Sequence, residues 1–185
     1  MAYRSGTYVA FHAAGTSDPT DSDMKYYNLL KAWHKDDGND FYFVNSHDKA
    51  AAVRDGSKKD TLRRVLSERL RNSKNMLLIL GKTTRFDTDW VPFEISYAID
   101  TCEIPIIAAY PAYAYIRNPQ SHASEWPAAL ADRIQSEAAH VIHVPFKRLV
   151  LADAISQFSH DAYPKNKGLG MYSAEAYADF GIKIS

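Results

Sequence analysis

Cysteine is nearly missing from this chain: Cys102 stands alone among 185 residues. That excludes an internal disulfide and any zinc site built on several cysteines, and it fits a reducing compartment such as the cytoplasm. An excess of either charge is missing too, because 22 basic residues balance 22 acidic ones. No overall field then draws the protein to nucleic acid or to anionic lipid. Long hydrophobic runs are absent as well. No stretch reaches the roughly 20 apolar residues that span a bilayer, and the opening Met1 to Gly6 lacks the apolar core of an export signal. We expect a soluble cytoplasmic protein with neither a nucleic-acid nor a membrane partner.

The glycine-rich signatures of nucleotide chemistry are also lacking. Gly81-Lys82-Thr83 looks like the end of a P-loop, but that pattern needs a glycine five residues earlier, where Met76 stands. No Gly-x-Gly-x-x-Gly turn follows the first apolar strand, so a bound hydride-transfer dinucleotide is not expected. There is no Gly-x-Ser-x-Gly elbow for a serine hydrolase. A phosphoacceptor receiver would end its third strand in Asp, where this chain runs Leu80-Gly81-Lys82. His140 and His143 are three apart in a strand and face opposite sides, so they cannot chelate one metal together. We expect no metal and no resident cofactor.

What is present is a chain 46% apolar, enough for one domain with a substantial core. Short apolar runs alternate with longer amphipathic ones, the pattern of parallel strands covered by helices on both faces. Strands are expected at Thr7 to Phe11, Phe41 to Val44, Met76 to Leu80, Ile104 to Ala109 and His140 to Val144. Helices are expected at about 23–35, 58–74, 89–102, 124–137 and 147–160. The fold class is α/β, a three-layer flavodoxin-like domain whose five-stranded parallel sheet has the order 2-1-3-4-5. The domain spans residues 1–160. Residues 161–185 form a tail that wraps back through Met171, Tyr172, Tyr177 and Phe180. The proline-broken, aromatic segment Tyr110 to Pro119 is expected to pack over the sheet edge as a candidate lid.

In such a sheet the ligand crevice lies beyond the carboxyl ends of strands one and three, where the strand order reverses. Strand one brings Phe11 and His12 there; strand three brings Gly81, Lys82, Thr83 and Arg85. The helix that follows carries Trp90 and Glu94, one turn apart. At about 100° per residue, Val91, Ile95, Ala98 and Cys102 form its core stripe, with Glu94 about 60° off the stripe's centre and Phe93 about 160°. A carboxylate on the border of a core is partly desolvated, a mark of functional acids and bases. From spacing alone, a surface glutamate in an ion pair is an equal reading. Phe93 reads equally as part of a self-association surface or as a ring beneath the lid. The basic face of the second helix, Lys59, Arg63, Arg64, Arg71 and Lys74, reads as a solvated flank in preference to a phosphate site.

Three blocks carry a resemblance: Tyr8-Val9-Ala10-Phe11-His12, Leu77-Leu78-Ile79-Leu80-Gly81-Lys82-Thr83-Thr84 and Trp90-Val91-Pro92-Phe93-Glu94-Ile95. In this order they resemble the TIR-like signalling subunit of bacterial Thoeris anti-phage systems, and the likeness fades after about Ala109. The last block resembles the Trp-x-x-x-Glu helix of TIR domains that cleave NAD. Val91 stands where a cysteine often follows that tryptophan, and Thr88 or Asp89 where a serine precedes it. Neither change removes a group the chemistry needs.

The resemblance implies that Glu94 is the catalytic residue and that Trp90 lines its pocket. Phe11 and His12 would border the same cleft, beside Gly81, Lys82, Thr83 and Arg85, which the strand order itself brings there as the rest of the substrate-binding set. It implies NAD as substrate, a cyclic ADP-ribose-type product acting as second messenger, a messenger-responsive effector as partner, and self-association. Two other readings stand beside it: a non-catalytic TIR-like interaction scaffold, and an enzyme like the nucleoside deoxyribosyltransferases, which also set a carboxylate beside a ribose.

Overall fold

The computed structural model describes residues 4–14, 22–37, 43–44 and 56–185. Along the chain come β1 (Gly6–Ala10), α1 (Met24–Asp37), β2 (Phe43–Val44), α2 (Gly56–Arg71), β3 (Ser73–Ile79) and α3 (Trp90–Ser96). Then follow β4 (Ile106–Tyr110), α4 (Ala128–Gln135), β5 (Val141–Pro145), α5 (Arg148–Gln157), β6 (Gly170–Met171) and α6 (Ala174–Asp179). The strands pair in the order β2-β1-β3-β4-β5-β6, all parallel. This is the doubly wound order expected from the sequence, lengthened by one strand. Phe41 and Tyr42, expected in the second strand, lie outside the described residues.

Strand periodicity divides the core in two. Tyr8, Ala10, Met76, Leu78, Ile106 and Ala108 face α2, α3 and α4, where Leu62, Leu66, Leu70, Val91, Ile95 and Leu130 meet them. Val9, Leu77, Ile79, Ile107, Ala109 and Val144 face the other way, onto Leu30 of α1 and Val150, Leu151 and Ile155 of α5. With both faces covered, each strand reads as a continuous apolar run, and the sheet's loop crest is left to carry polar chemistry.

Several helix boundaries differ from the sequence reading, the fifth helix ending at Gln157 and not at 160, and three of them have a plain local reason. The second helix, expected to run to 74, stops at Arg71 because Ser73 and Lys74 already belong to β3. There the Ser73 hydroxyl closes the turn by donating to the Arg69 carbonyl (2.8 Å). The fourth helix, expected from 124, begins at Ala128. Pro127 forces Trp126 into an extended conformation (ψ 137°), so the preceding residues form only a short tight turn over Pro119–Glu125. The third helix closes with one wide turn over Tyr97–Thr101, in which the Cys102 N–H reaches back to the Tyr97 carbonyl (3.0 Å).

The sixth strand comes from the tail and was not anticipated, since two residues carry no period. Gly170 permits it, because a Cβ there would press on the Val141 and Lys165 carbonyls. Tyr177 is fully buried, and its hydroxyl both accepts from the Ile116 N–H (3.1 Å) and donates to the Ile116 carbonyl (3.0 Å). Tyr172 is buried and Phe180 packs edge-on against it (5.5 Å), whereas Met171, expected to pack, is exposed. The aromatic segment after β4 is thus pinned by the tail. None of the helices among the described residues is long and apolar enough to cross a membrane.

Candidate active site

Two side-chain pairs join the loops after β1 and β3. His12 Nδ1 lies 3.0 Å from Thr83 Oγ1. Beside it the Thr84 hydroxyl accepts from the Gly81 N–H (2.8 Å) and donates to the Asp23 carboxylate (2.7 Å). Asp23 is almost wholly buried just ahead of α1, and burial raises its carboxyl above the ordinary range against the pull of the Thr84 bond. Gly81 is required here, because a Cβ would overlap the Asp23 carboxylate. The frame continues to α3: Asp87 Oδ1 accepts from the N–H groups of Asp89 (2.8 Å) and Trp90 (3.0 Å), tying the loop to the start of the helix.

On α3, the stripe Val91, Ile95, Ala98 and Cys102 is buried as its spacing requires. Glu94 goes further than that spacing implies: it is 0% exposed and accepts a hydrogen bond from the hydroxyl of Tyr8, itself fully buried on β1. Burial, and next the charge of Glu94, push the Tyr8 phenol well above its ordinary pKa, so it stays the donor. Trp90, 9% exposed, sits one turn earlier under two cations of α2. Lys59 Nζ lies 5.8 Å and Arg63 Cζ 6.0 Å from the indole centroid. Arg63 also lies over Phe93 (5.4 Å), and Arg71 over Tyr97 (5.4 Å). The basic face read as a solvated flank is therefore partly a cation–π ladder on α3. Phe93 is half-buried within it.

The other expected site residues divide. His12, Gly81 and Thr83 meet at the crest between β1 and β3. Lys82 is exposed. Arg85 turns toward the segment before α4, donating to the Ser124 carbonyl (3.0 Å) and lying 4.5 Å from the exposed Phe86 ring. Phe11 is a correction: it packs on the opposite face of the sheet, stacked on Tyr27 of α1 (5.1 Å, 19°), and is no wall for Glu94. Two-residue alternation already separates Phe11 from Tyr8. The sequence reading missed the parts of Tyr8 and Asp23, and it set Lys59 and Arg63 aside as a solvated flank. Alternation along β1 was the available signal for Tyr8, and an acid directly before a helix was the signal for Asp23.

A second polar group is walled into the core beside β5. His143, fully buried, donates from Nε2 to the Gly168 carbonyl (2.9 Å), so its Nδ1 accepts from the Tyr110 hydroxyl (2.8 Å). Tyr110 in turn accepts from the Trp126 indole N–H (2.7 Å). Every polar side-chain atom of the His143–Tyr110–Trp126 relay is satisfied, and its place is structural.

A parallel sheet of order 2-1-3-4-5, a polar crest joining its first and third strands, and an enclosed carboxylate one turn from an indole on the next helix define a flavodoxin-like domain of the TIR-like class. The chain belongs to the family of the TIR-like domain of Thoeris protein ThsB, whose model matches residues 8–115. The matched span runs from Tyr8 through Asp23, Gly81, Trp90 and Glu94 to the start of the tail-pinned segment. The protein is accordingly a TIR-like component of Thoeris-type anti-phage defence, a system that implies partner effector proteins.

Proposed function

We propose that the protein cleaves the nicotinamide–ribose bond of NAD at Glu94 and forms a cyclic ADP-ribose-type messenger for a separate effector. The observation that carries this reading is the desolvated Glu94 carboxylate, one helical turn from Trp90 and bonded to Tyr8 of β1.

The bond from C1′ to the pyridinium nitrogen breaks with its electron pair going to nitrogen, which becomes neutral. The leaving group therefore needs no proton, and one carboxylate suffices. Positive charge develops on the ribose, where a carboxylate in a water-poor site stabilises it strongly, as in glycosidases. Trp90 supplies the apolar wall that keeps water out. A nucleophilic atom elsewhere in the same molecule then forms the new bond to C1′, giving a cyclic product in place of hydrolysis.

The Tyr8 hydroxyl bonds the carboxylate as a ribose hydroxyl would, and Glu94 is covered. We read this as the resting state, in which substrate must displace that contact. The same cover is what favours the non-catalytic scaffold as second reading. Incubation of concentrated protein with NAD, followed by mass spectrometry, separates them. Release of nicotinamide with an ADP-ribose species, abolished in Glu94→Gln, supports the enzyme; unchanged NAD under activating conditions leaves the scaffold.

A further inference from the structure

We propose that Lys59 and Arg63, flanking Trp90, form a subsite for the diphosphate of the substrate. This rests on the reading of the substrate as a dinucleotide.

The two cations share one acid. Lys59 Nζ lies 2.7 Å from Asp89 Oδ2 and the Arg63 guanidinium 3.5 Å from Oδ1. Among the described residues Asp89 is the carboxylate paired with them, so the cluster keeps one net positive charge. It is not sealed: the three side chains are 41%, 42% and 41% exposed. Arg63 Nε is buried and has no hydrogen-bond partner among the described residues. Packing explains part of this, because Arg63 and Arg71 continue the ladder over Phe93 and Tyr97. It does not explain two cations converging on the one rung that adjoins Glu94. α2 begins three residues before Lys59, so the positive end of that helix adds to the same field.

The spacing suits the ligand. One helical turn, about 5.4 Å, separates Trp90 from Glu94, comparable with the reach across a ribose from C1′ to its 5′-phosphate. A sugar held at Glu94 would set its diphosphate at the Lys59–Arg63 notch, where a fork and a point charge suit adjacent phosphate oxygens. The cations expected to take this part fit less well: Arg85 is turned toward Ser124, and Lys82 stands exposed on the loop after β3.

The test is calorimetric titration of the whole chain with ADP, which needs no turnover. Lys59→Gln/Arg63→Gln keeps the apolar stems over the rings while removing both charges, and thermal melting checks its fold. Arg64→Ala, exposed on the same helix, is the control. The expected result is ADP binding that weakens about tenfold or more in the Gln pair and is unchanged in Arg64→Ala. Where NAD is turned over, KM rises by a similar factor with little change in kcat, and cleavage of nicotinamide riboside, which lacks the diphosphate, is unaffected. A folded Gln pair that binds ADP as the unaltered protein does overturns the subsite, as does an unaltered protein that binds no ADP. Charge-dependent ADP binding in a protein that never consumes NAD keeps the subsite and removes the enzymatic reading.

Discussion

The Tyr8 hydroxyl donates to the Glu94 carboxylate across the interface between β1 and α3, and neither residue is exposed. A strand thereby holds the side chain on which the proposed chemistry depends. Tyr8→Phe removes the donor and leaves the carboxylate enclosed. Since a hydrogen bond to a charged group contributes about 1.5–3 kcal/mol, stability should fall by that order. Urea unfolding with an unchanged slope measures it; a loss near zero would mean that the bond does not form in solution.

Glu94→Gln keeps an oxygen to accept from Tyr8, so its fold should survive with a loss of about 1 kcal/mol. Turnover of NAD should fall about 10²–10³-fold, the usual effect of removing one group that stabilises transition-state charge. Nicotinamide release quantified by chromatography, alongside a melting curve, reads both. Wild-type turnover in a folded variant would end the assignment of Glu94.

Gly81→Ala drives a methyl group into the Asp23 carboxylate. The cost should be about 1–3 kcal/mol, and it should shrink when Asp23→Ala is added, because the second change removes the obstacle. A double-mutant cycle by chemical unfolding gives the coupling. Strict additivity would show that the two loops are not in contact.

His143 sets a pH dependence. Burial pushes its imidazole down to about 4 in the folded protein, whereas an unfolded chain protonates it near 6.5. Between those values the unfolded state binds the extra proton, so stability is lost as pH falls from about 6.5 to 4. The loss amounts to about 3 kcal/mol across that window. Unfolding at a series of pH values should show this slope, and His143→Gln should flatten it while lowering stability at neutral pH. An unchanged slope in the variant would assign the effect to other groups.

Tyr177→Phe strips both hydrogen bonds from the Ile116 backbone. The segment following β4 should loosen, with faster amide exchange at Ile116 and its neighbours and a stability loss of about 1–3 kcal/mol. Unaltered exchange there would mean that the tail rests on the segment without fixing it.

Much of this architecture was legible in residue order, because burial on both faces of a parallel sheet leaves apolar runs, and helix packing leaves a stripe such as Val91, Ile95, Ala98 and Cys102. The same periodicity put Trp90 and Glu94 on neighbouring turns and brought His12, Gly81 and Thr83 to the crest. Contacts between segments distant in sequence were not legible. Phe11 left the site because strand alternation sends it to the α1 face. Lys59 and Arg63 lie over Trp90 because α2 packs across α3, a relation that neither helix encodes alone. Pro127 moved a helix start that apolar spacing had set too early.

Local chemistry along the chain, meaning period, capping acids and prolines, determined the elements, their order and the helix that carries the carboxylate. The tertiary structure decided what meets that helix: Tyr8, 86 residues away in sequence, at the carboxylate, and the cations of a helix that precedes the third strand over the Trp90 ring. The physical reason is that periodicity reports which face of an element is buried. Only packing in three dimensions determines what it is buried against.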